Sequence, residues 1–322
     1  MQKQLKIRSK KSTNVRFINF LTAAYGKAIN GLALVAPALA VRFASRLFFA
    51  THRHPRWNQD PVLKTAKTFE VPQGGQTVRF YAWGHGPTVL LVHGWNGWGA
   101  QLSQLVPPLL EKGYRILTFD ALGHGGSEGK SSNIFKFADG IALADKIAGP
   151  FYAIITHSMG GAATTLALKD GVRAKRLVYL APPFDPSGWL GRFVKTLRIN
   201  EKVGWYLEES FRETFGERWK FFQDPRFIRD MKTPLLVIHD RNDSQVHWEE
   251  GKRLAAAWQG ANFHGTEGLG HNRLLKDADV IQRTVDFIHP PKLLTDKKTV
   301  KGESHENTTI PLAEELFQSV YA

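Results

Sequence analysis

Apolar and polar positions change rhythm several times along the chain. Residues 17–50 are rich in Ala, Leu, Val and Phe, and Val35, Leu39, Phe43 and Leu47 recur with helical spacing. From residue 68 the pattern shortens. Thr77 to Trp83 alternates like a half-buried strand, and Thr88-Val89-Leu90-Leu91-Val92 is a continuous apolar run, as in a strand covered on both faces. A helical stretch around Leu102 to Lys112 and a strand-like run from Arg115 to Asp120 follow. A helix over about Phe135 to Ala148, an apolar run from Tyr152 to Ile155 and a strand from Arg176 to Leu180 come next. The alternation resumes with a strand at Leu235 to Asp240, a helix over about Trp248 to Gln259, a strand at Ala261 to His264 and a last helix ending near His289. Strands alternating with helices at this spacing predict a parallel α/β sheet.

Between Pro182 and Thr233 the alternation lapses. Trp189, Phe193, Leu197, Trp205, Tyr206, Phe211, Phe215, Trp219 and Phe222 recur at mostly helical spacing, which predicts an inserted helical unit. The pattern divides the chain into an N-terminal extension (1–64), a body made of 65–182 and 231–290, an inserted cap (183–230) and a polar C-terminal tail (291–322). Within the tail, 292–309 has linker composition and Pro311 to Val320 has the spacing of a short amphipathic helix.

Charge sharpens this division. Residues 1–64 hold twelve Lys and Arg against Asp60 alone, so +11 of the chain's net +14 lies in the extension. Its cations alternate with aliphatic and aromatic residues, and no nucleic-acid motif accompanies them. The expected partner is therefore an anionic membrane surface met by residues 1–50, not nucleic acid. The longest charge-free run there, Ala28 to Val41, is shorter than the ~20 residues of a spanning helix and contains Pro37. The basic start and Ala38-Leu39-Ala40 resemble a signal peptide and its cleavage site, but Lys27 interrupts the apolar region. The expected location is cytoplasmic, peripheral at a membrane, with export as the competing reading and a helix packed on the protein's own surface as the plain one. The chain has no cysteine, which excludes disulfides, zinc fingers and thiol catalysis. Neither a metal nor an organic cofactor is expected.

Chemistry enters at Tyr152 to Ala163, where an apolar run ends in Thr156-His157-Ser158 and small residues then open a helical pattern. A strand, a sharp turn and a helix so close together put Ser158 at the apex of a nucleophile elbow. The letters of the motif favour another serine: Gly125-Gly126-Ser127-Glu128-Gly129 fits G-x-S-x-G in full, whereas Thr156 replaces the first glycine at Ser158. Ser127 lies in a polar glycine-rich loop, without the strand and helix that the elbow requires.

A serine hydroxyl needs a base to take its proton and a carboxylate to hold that base. Asp243 follows the strand ending near His239, and His271 follows the next strand, giving the order Ser, Asp, His that suits one edge of a parallel sheet. Asp185, just after the preceding strand, is the alternative acid. The oxyanion donors expected are the backbone N–H groups of Met159 and of Trp95 in His93-Gly94-Trp95.

Taken in order, His93-Gly94-Trp95, Asp120 to Ser127, the elbow at Ser158, Asp240 to Val246 and Gly270-His271 resemble an α/β-hydrolase of the serine esterase or lysophospholipase-like kind over about residues 68–289. The resemblance implies an eight-stranded, mostly parallel sheet flanked by helices, with a helical cap inserted after strand 6. It implies cleavage of a carboxylic ester in a small-molecule or lipid-like substrate through an acyl-enzyme. Thioester or amide cleavage and acyl transfer use the same residues, and a non-catalytic scaffold is the alternative of another class. An aspartate-nucleophile dehalogenase or epoxide hydrolase is disfavoured by the serine at the apex. The cap's aromatics have two readings, an apolar acyl pocket or the cap's own core.

Overall fold

A computed structural model describes residues 21–55, 57–185, 188–219 and 225–290. The patterns read in residues 1–16 and 291–322 lie outside the described residues, as does Phe222.

One sheet of eight strands organises the body: β1 (Lys67–Gln73), β2 (Gln76–Trp83), β3 (Thr88–Val92), β4 (Arg115–Asp120), β5 (Phe151–His157), β6 (Ala174–Leu180), β7 (Leu235–Asp240) and β8 (Asn262–Thr266). Their order across the sheet is β1-β2-β4-β3-β5-β6-β7-β8. Only the β1–β2 and β2–β4 pairings are antiparallel. The other five are parallel, in a register that sets Leu90 between Leu117 and Ile154.

The continuous apolar runs are explained by burial on both faces. On β3, Leu90 and Val92 face one core while Val89 and Leu91 face the other. β7 divides likewise, Leu235 and Val237 against Leu236 and Ile238. One face is covered by α4 (Ile134–Ala148), α5 (Met159–Lys169) and α8 (Trp248–Ala257). The other is covered by a 3-10 segment (Gly99–Leu105), α3 (Val106–Glu111) and α10 (Ala278–Ile288). Residues 99–111 thus form two short pieces where one helix was expected, and Pro107 sits in the first turn of the second. Asn133 and Asp277 cap α4 and α10 through their side-chain oxygens. Strand β1 is the exposed edge of the sheet, with Phe69 and Val71 alternating inward.

After β6 the chain leaves the sheet and forms α6 (Gly188–Leu197) and α7 (Glu201–Phe215), the inserted cap. The extension joins it. Helix α1 (residues 21–35) and α2 (Pro37–Phe48) break at Ala36 and share a third core with the cap, built from Ile29, Ala40, Ala44, Leu190, Leu207 and Phe211. Asn30 fixes the register: its Nδ2 donates to Arg198 O at 3.0 Å and its Oδ1 accepts from Asn200 N at 2.9 Å. The Phe48 ring lies 5.1 Å from Phe193, and that of Phe49 lies 4.8 Å from Phe211. The chain then crosses the loops at the C-terminal edge of the sheet. Thr51 Oγ1 donates to Gly123 O at 2.8 Å, His52 N donates to Asn96 Oδ1 at 2.9 Å, and Arg53 donates to Ser127 O and Gly129 O.

Candidate active site

The elbow is present where strand β5 meets helix α5. Ser158 has φ 51° and ψ −123°, a conformation that L-residues adopt only under strain and that concentrates at functional sites. The sharp turn works because α5 starts almost on top of β3. A Cβ at Gly160 would lie 2.8 Å from both His93 O and Val92 O, so only glycine fits. Thr156, the departure from the motif, is fully buried, and the residue facing it is also a glycine: a Cβ at Gly161 would come within 3.2 Å of Thr156 Oγ1. The β-branch is accommodated by the missing side chain opposite.

Ser158, Met159, Trp95 and His271 line one cavity of about 300 Å³. Asp243 sits behind the imidazole, its Oδ2 accepting from His271 Nδ1 at 2.6 Å. That bond leaves Nε2 of His271 as the ring nitrogen available to the cavity. His271 lies in the first turn of a short helix, α9 (Gly270–Arg273), that follows β8. Asp185 is exposed, and the acid bonded to His271 is Asp243. Burial alone would raise the Asp243 carboxyl. Hydrogen bonds from His239, His271 and Val246 N–H outweigh it and hold the group well below the usual carboxylate range. Asp243 is thus an anion able to fix the tautomer of His271.

Met159 opens α5, so its N–H is one of the donors that a helix start leaves without an intrahelical partner. The turn carrying Trp95 is braced by two histidines. His93 Nε2 accepts from Ala121 N at 3.0 Å, and His124 Nε2 accepts from Asn96 N at 3.1 Å. Accepting requires the neutral ring, and burial lowers His93 to about 4 and His124 to about 3. His157, beside Ser158, is also neutral: burial first, then the nearby His271, lowers it to about 3, and its Nε2 donates to His271 O at 2.9 Å.

Ser127 is a structural residue. It is buried, its Oγ accepting from Arg79 N at 2.8 Å and donating to Asp120 O, away from the cavity wall.

Three features of the site were missed by sequence reasoning. Asp240 is wholly buried at the end of β7 and ties both loops together. Its Oδ1 accepts from Asn242 N (2.9 Å) and Gly270 N (2.8 Å), and its Oδ2 from Thr266 Oγ1 (2.7 Å) and Leu269 N (3.0 Å). Burial opposes its charge, but these four donors lower its pKa. Two aspartates in His239-Asp240-Arg241-Asn242-Asp243 were the available signal. The bracing pair His93 and His124 had only the family loop as a signal. Phe48 and Phe49, from the extension, line the cavity together with Phe135, Trp189, Phe215 and Trp219; no local pattern signals that contact. The cap's aromatics divide between the two readings, since Trp189, Phe215 and Trp219 reach the cavity while Phe211 is packed inside the cap.

Comparison with known proteins identifies the family and the fold. Residues 89–283, more than half the chain, match the alpha/beta hydrolase family. A 2-hydroxy-6-oxononadienedioate/2-hydroxy-6-oxononatrienedioate hydrolase of Klebsiella pneumoniae is 26% identical over 274 residues, covering 69% of this chain and 94% of that protein. A lysophosphatidylserine lipase of Danio rerio is 28% identical over 237 residues, covering 64% of this chain and 59% of the lipase. In fold, an esterase from Exiguobacterium antarcticum superposes with a TM-score of 0.52 at 17% identity, over 67% of this chain and 96% of the esterase. The chain belongs to the alpha/beta hydrolase family and is a hydrolase by that membership.

Proposed function

We propose that this hydrolase cleaves a carboxylic ester in a largely apolar substrate, with Ser158 as nucleophile, His271 as base and acid, and Asp243 as the orienting carboxylate. The observation that carries the reading is the shared cavity: a serine on a strained turn and an imidazole bonded to an anionic aspartate stand on one apolar wall. Ser158 Oγ attacks the acyl carbon as its proton passes to His271 Nε2. The tetrahedral oxyanion lies against the N–H groups of Trp95 and Met159. His271 then protonates the leaving alcohol, and water, deprotonated by the same imidazole, releases the acid.

The apolar lining suits an acyl chain, and the lysophosphatidylserine lipase among the relatives supports a lipid-like substrate. One observation favours a second reading. Arg192 is the one Lys or Arg among the described lining residues, at a place where it would meet an anionic substrate group such as the carboxylates named for the Klebsiella relative's substrate. Turnover of p-nitrophenyl esters of graded chain length, beside the corresponding thioesters, anilides and dienedioates, separates these readings. Loss of ~10⁶-fold in kcat in Ser158→Ala is the expected result. Near-normal ester turnover by that variant would refute the assignment, and failure of a fluorophosphonate to label Ser158 in the folded protein would favour a scaffold.

A further inference from the structure

The apolar stripe of the extension points away from the protein. Val35, Leu39 and Phe43 have the spacing of a core-facing helix, yet they are 82%, 55% and 39% exposed, and Leu34 is 84% exposed. The two fully buried residues of α2 are the small Ala40 and Ala44, which let the helix approach the cap closely, with Val41, Leu47 and Phe48 packed beside them. Tyr25 of α1 stands 6.4 Å from Phe43, ring centre to ring centre, so the two helices present one outward apolar face. Soluble monomers rarely leave such a contiguous face bare, and one that persists marks an interaction surface.

Charge selects its partner. Residues 1–50 carry nine Lys and Arg and neither Asp nor Glu. Three of them, Lys27, Arg42 and Arg46, are exposed on α1 and α2 themselves. A second copy docking face to face would set these cations against their own counterparts. Nucleic acid would match the charge but leave Leu34, Val35 and Leu39 against a phosphate backbone. An anionic lipid surface matches both features, since aliphatic side chains enter the acyl boundary while Lys and Arg stay at the head groups. No helix among the described residues is long and apolar enough to cross a membrane, so the contact lies in the plane of the surface.

We propose that the outer face of α1 and α2 docks the protein on an anionic phospholipid bilayer. The same helix then links membrane to cavity. Leu39 faces outward and Phe48, at the other end of α2, lines the cavity, about 14 Å away at the rise of an α-helix. This second step, feeding a lipid-like ester from the bilayer to Ser158, rests on the esterase reading; the docking does not.

The test is sedimentation of the full chain with phosphatidylcholine vesicles, with and without phosphatidylglycerol. The wild-type protein should partition onto the anionic vesicles and be released by salt. Combined Leu34→Ser, Val35→Ser and Leu39→Ser should weaken partitioning about tenfold or more, and Arg42→Glu with Arg46→Glu should do the same. Both variants should retain the wild-type melting temperature and turnover of a short soluble ester. Should no ester be turned over at all, the esterase reading falls, while the melting temperature still certifies the fold for the vesicle assay. Unchanged partitioning in the serine variant, or equal partitioning onto vesicles lacking phosphatidylglycerol, would overturn the docking. A dimer in sedimentation equilibrium that the serine variant abolishes would assign the face to a second copy instead.

Discussion

Ser127 and Ser158 both belong to loops at the C-terminal edge of a parallel sheet, one after β4 and the other after β5. Ser127 sits among the glycines of the motif and spends its hydroxyl on the protein, bonding the backbone of Arg79 and Asp120. Ser158 lacks the first glycine, is held at φ 51°, and turns its side chain to a cavity shared with His271. The proposed difference between a reactive serine and a structural one is the geometry the backbone imposes, not the neighbouring letters. The contrast is sharpest when both hydroxyls are removed. Ser158→Ala should lower kcat by ~10⁶-fold with an unchanged melting temperature. Ser127→Ala should leave kcat within a few-fold but unpair the buried Asp120 O and the half-buried Arg79 N, at about 1–3 kcal/mol, seen as a lower denaturation midpoint. Loss of ester turnover in a stable, folded Ser127→Ala would invert the comparison.

The carboxylates behind the two loops extend it. Asp120 braces the Ser127 loop through Gly99 N at 2.6 Å, Gly126 N at 2.7 Å and Tyr81 Oη at 2.8 Å. Asp240 braces the loops of Asp243 and His271. Asp243→Asn should cost roughly 10⁴-fold in kcat, because an amide cannot hold the productive tautomer. Asp240→Asn acts one step further out: an NH₂ must face backbone N–H groups, the loop of His271 shifts, and kcat should fall about 10²-fold. Measured together at saturating ester, the two values rank direct contact above positioning. Equal losses would mean that Asp240 does more than hold the loops.

Much of this arrangement was readable from residues, and the exceptions share a cause. Strands β3 to β7 announce themselves because burial on both faces demands unbroken apolar runs. Ser158, Asp243 and His271 could be brought together because each follows a strand of one sheet, so that chain order translates into position. The pattern failed where contacts are long-range or inverted. Phe48 and Phe49 reach the cavity only because α2 docks on the cap. Val35, Leu39 and Phe43 look like a core stripe, but the cap contact is made by Ala40, Ala44, Leu47 and Phe48. Asp240 resembles any turn aspartate until four donors converge on it.

Acid should weaken both serine loops together, since each depends on neutral histidines. His124 in the Ser127 loop is lowered to about 3, His157 beside Ser158 to about 3, and His93 between them to about 4, against about 6.5 in an unfolded chain. A lowered pKa means that the unfolded state binds the extra proton first. The associated stability is therefore complete above about pH 6.5 and is lost as pH falls toward 4, at up to about 1.4 kcal/mol per pH unit for each group. Asp243 and Asp240, also lowered, add a loss below about pH 4. Asp120 works against the trend, because burial raises its pKa and protonation suits the fold. Melting temperatures recorded from pH 7.5 to 4.5 should fall from about pH 6.5 downward. A flat profile to pH 5 would show that these rings are not held neutral.

The smallest effect concerns Thr156, the residue that makes Ser158 a poor match to its motif. Its hydroxyl is buried and finds no hydrogen-bond partner among the described residues, while its methyl lies in the packed strand end. Thr156→Val keeps the β-branched shape, removes the unpaired oxygen and should stabilise the protein by about 1 kcal/mol. Thr156→Gly restores the motif but empties the space facing Gly161 and adds chain entropy, so it should destabilise by about 1 kcal/mol or more. Chemical denaturation of both variants measures this directly. If glycine were the more stable, the elbow at Ser158 would be strained by its threonine; if valine is, the strand end has adapted to a branched side chain and the turn depends on Gly160 and Gly161 instead.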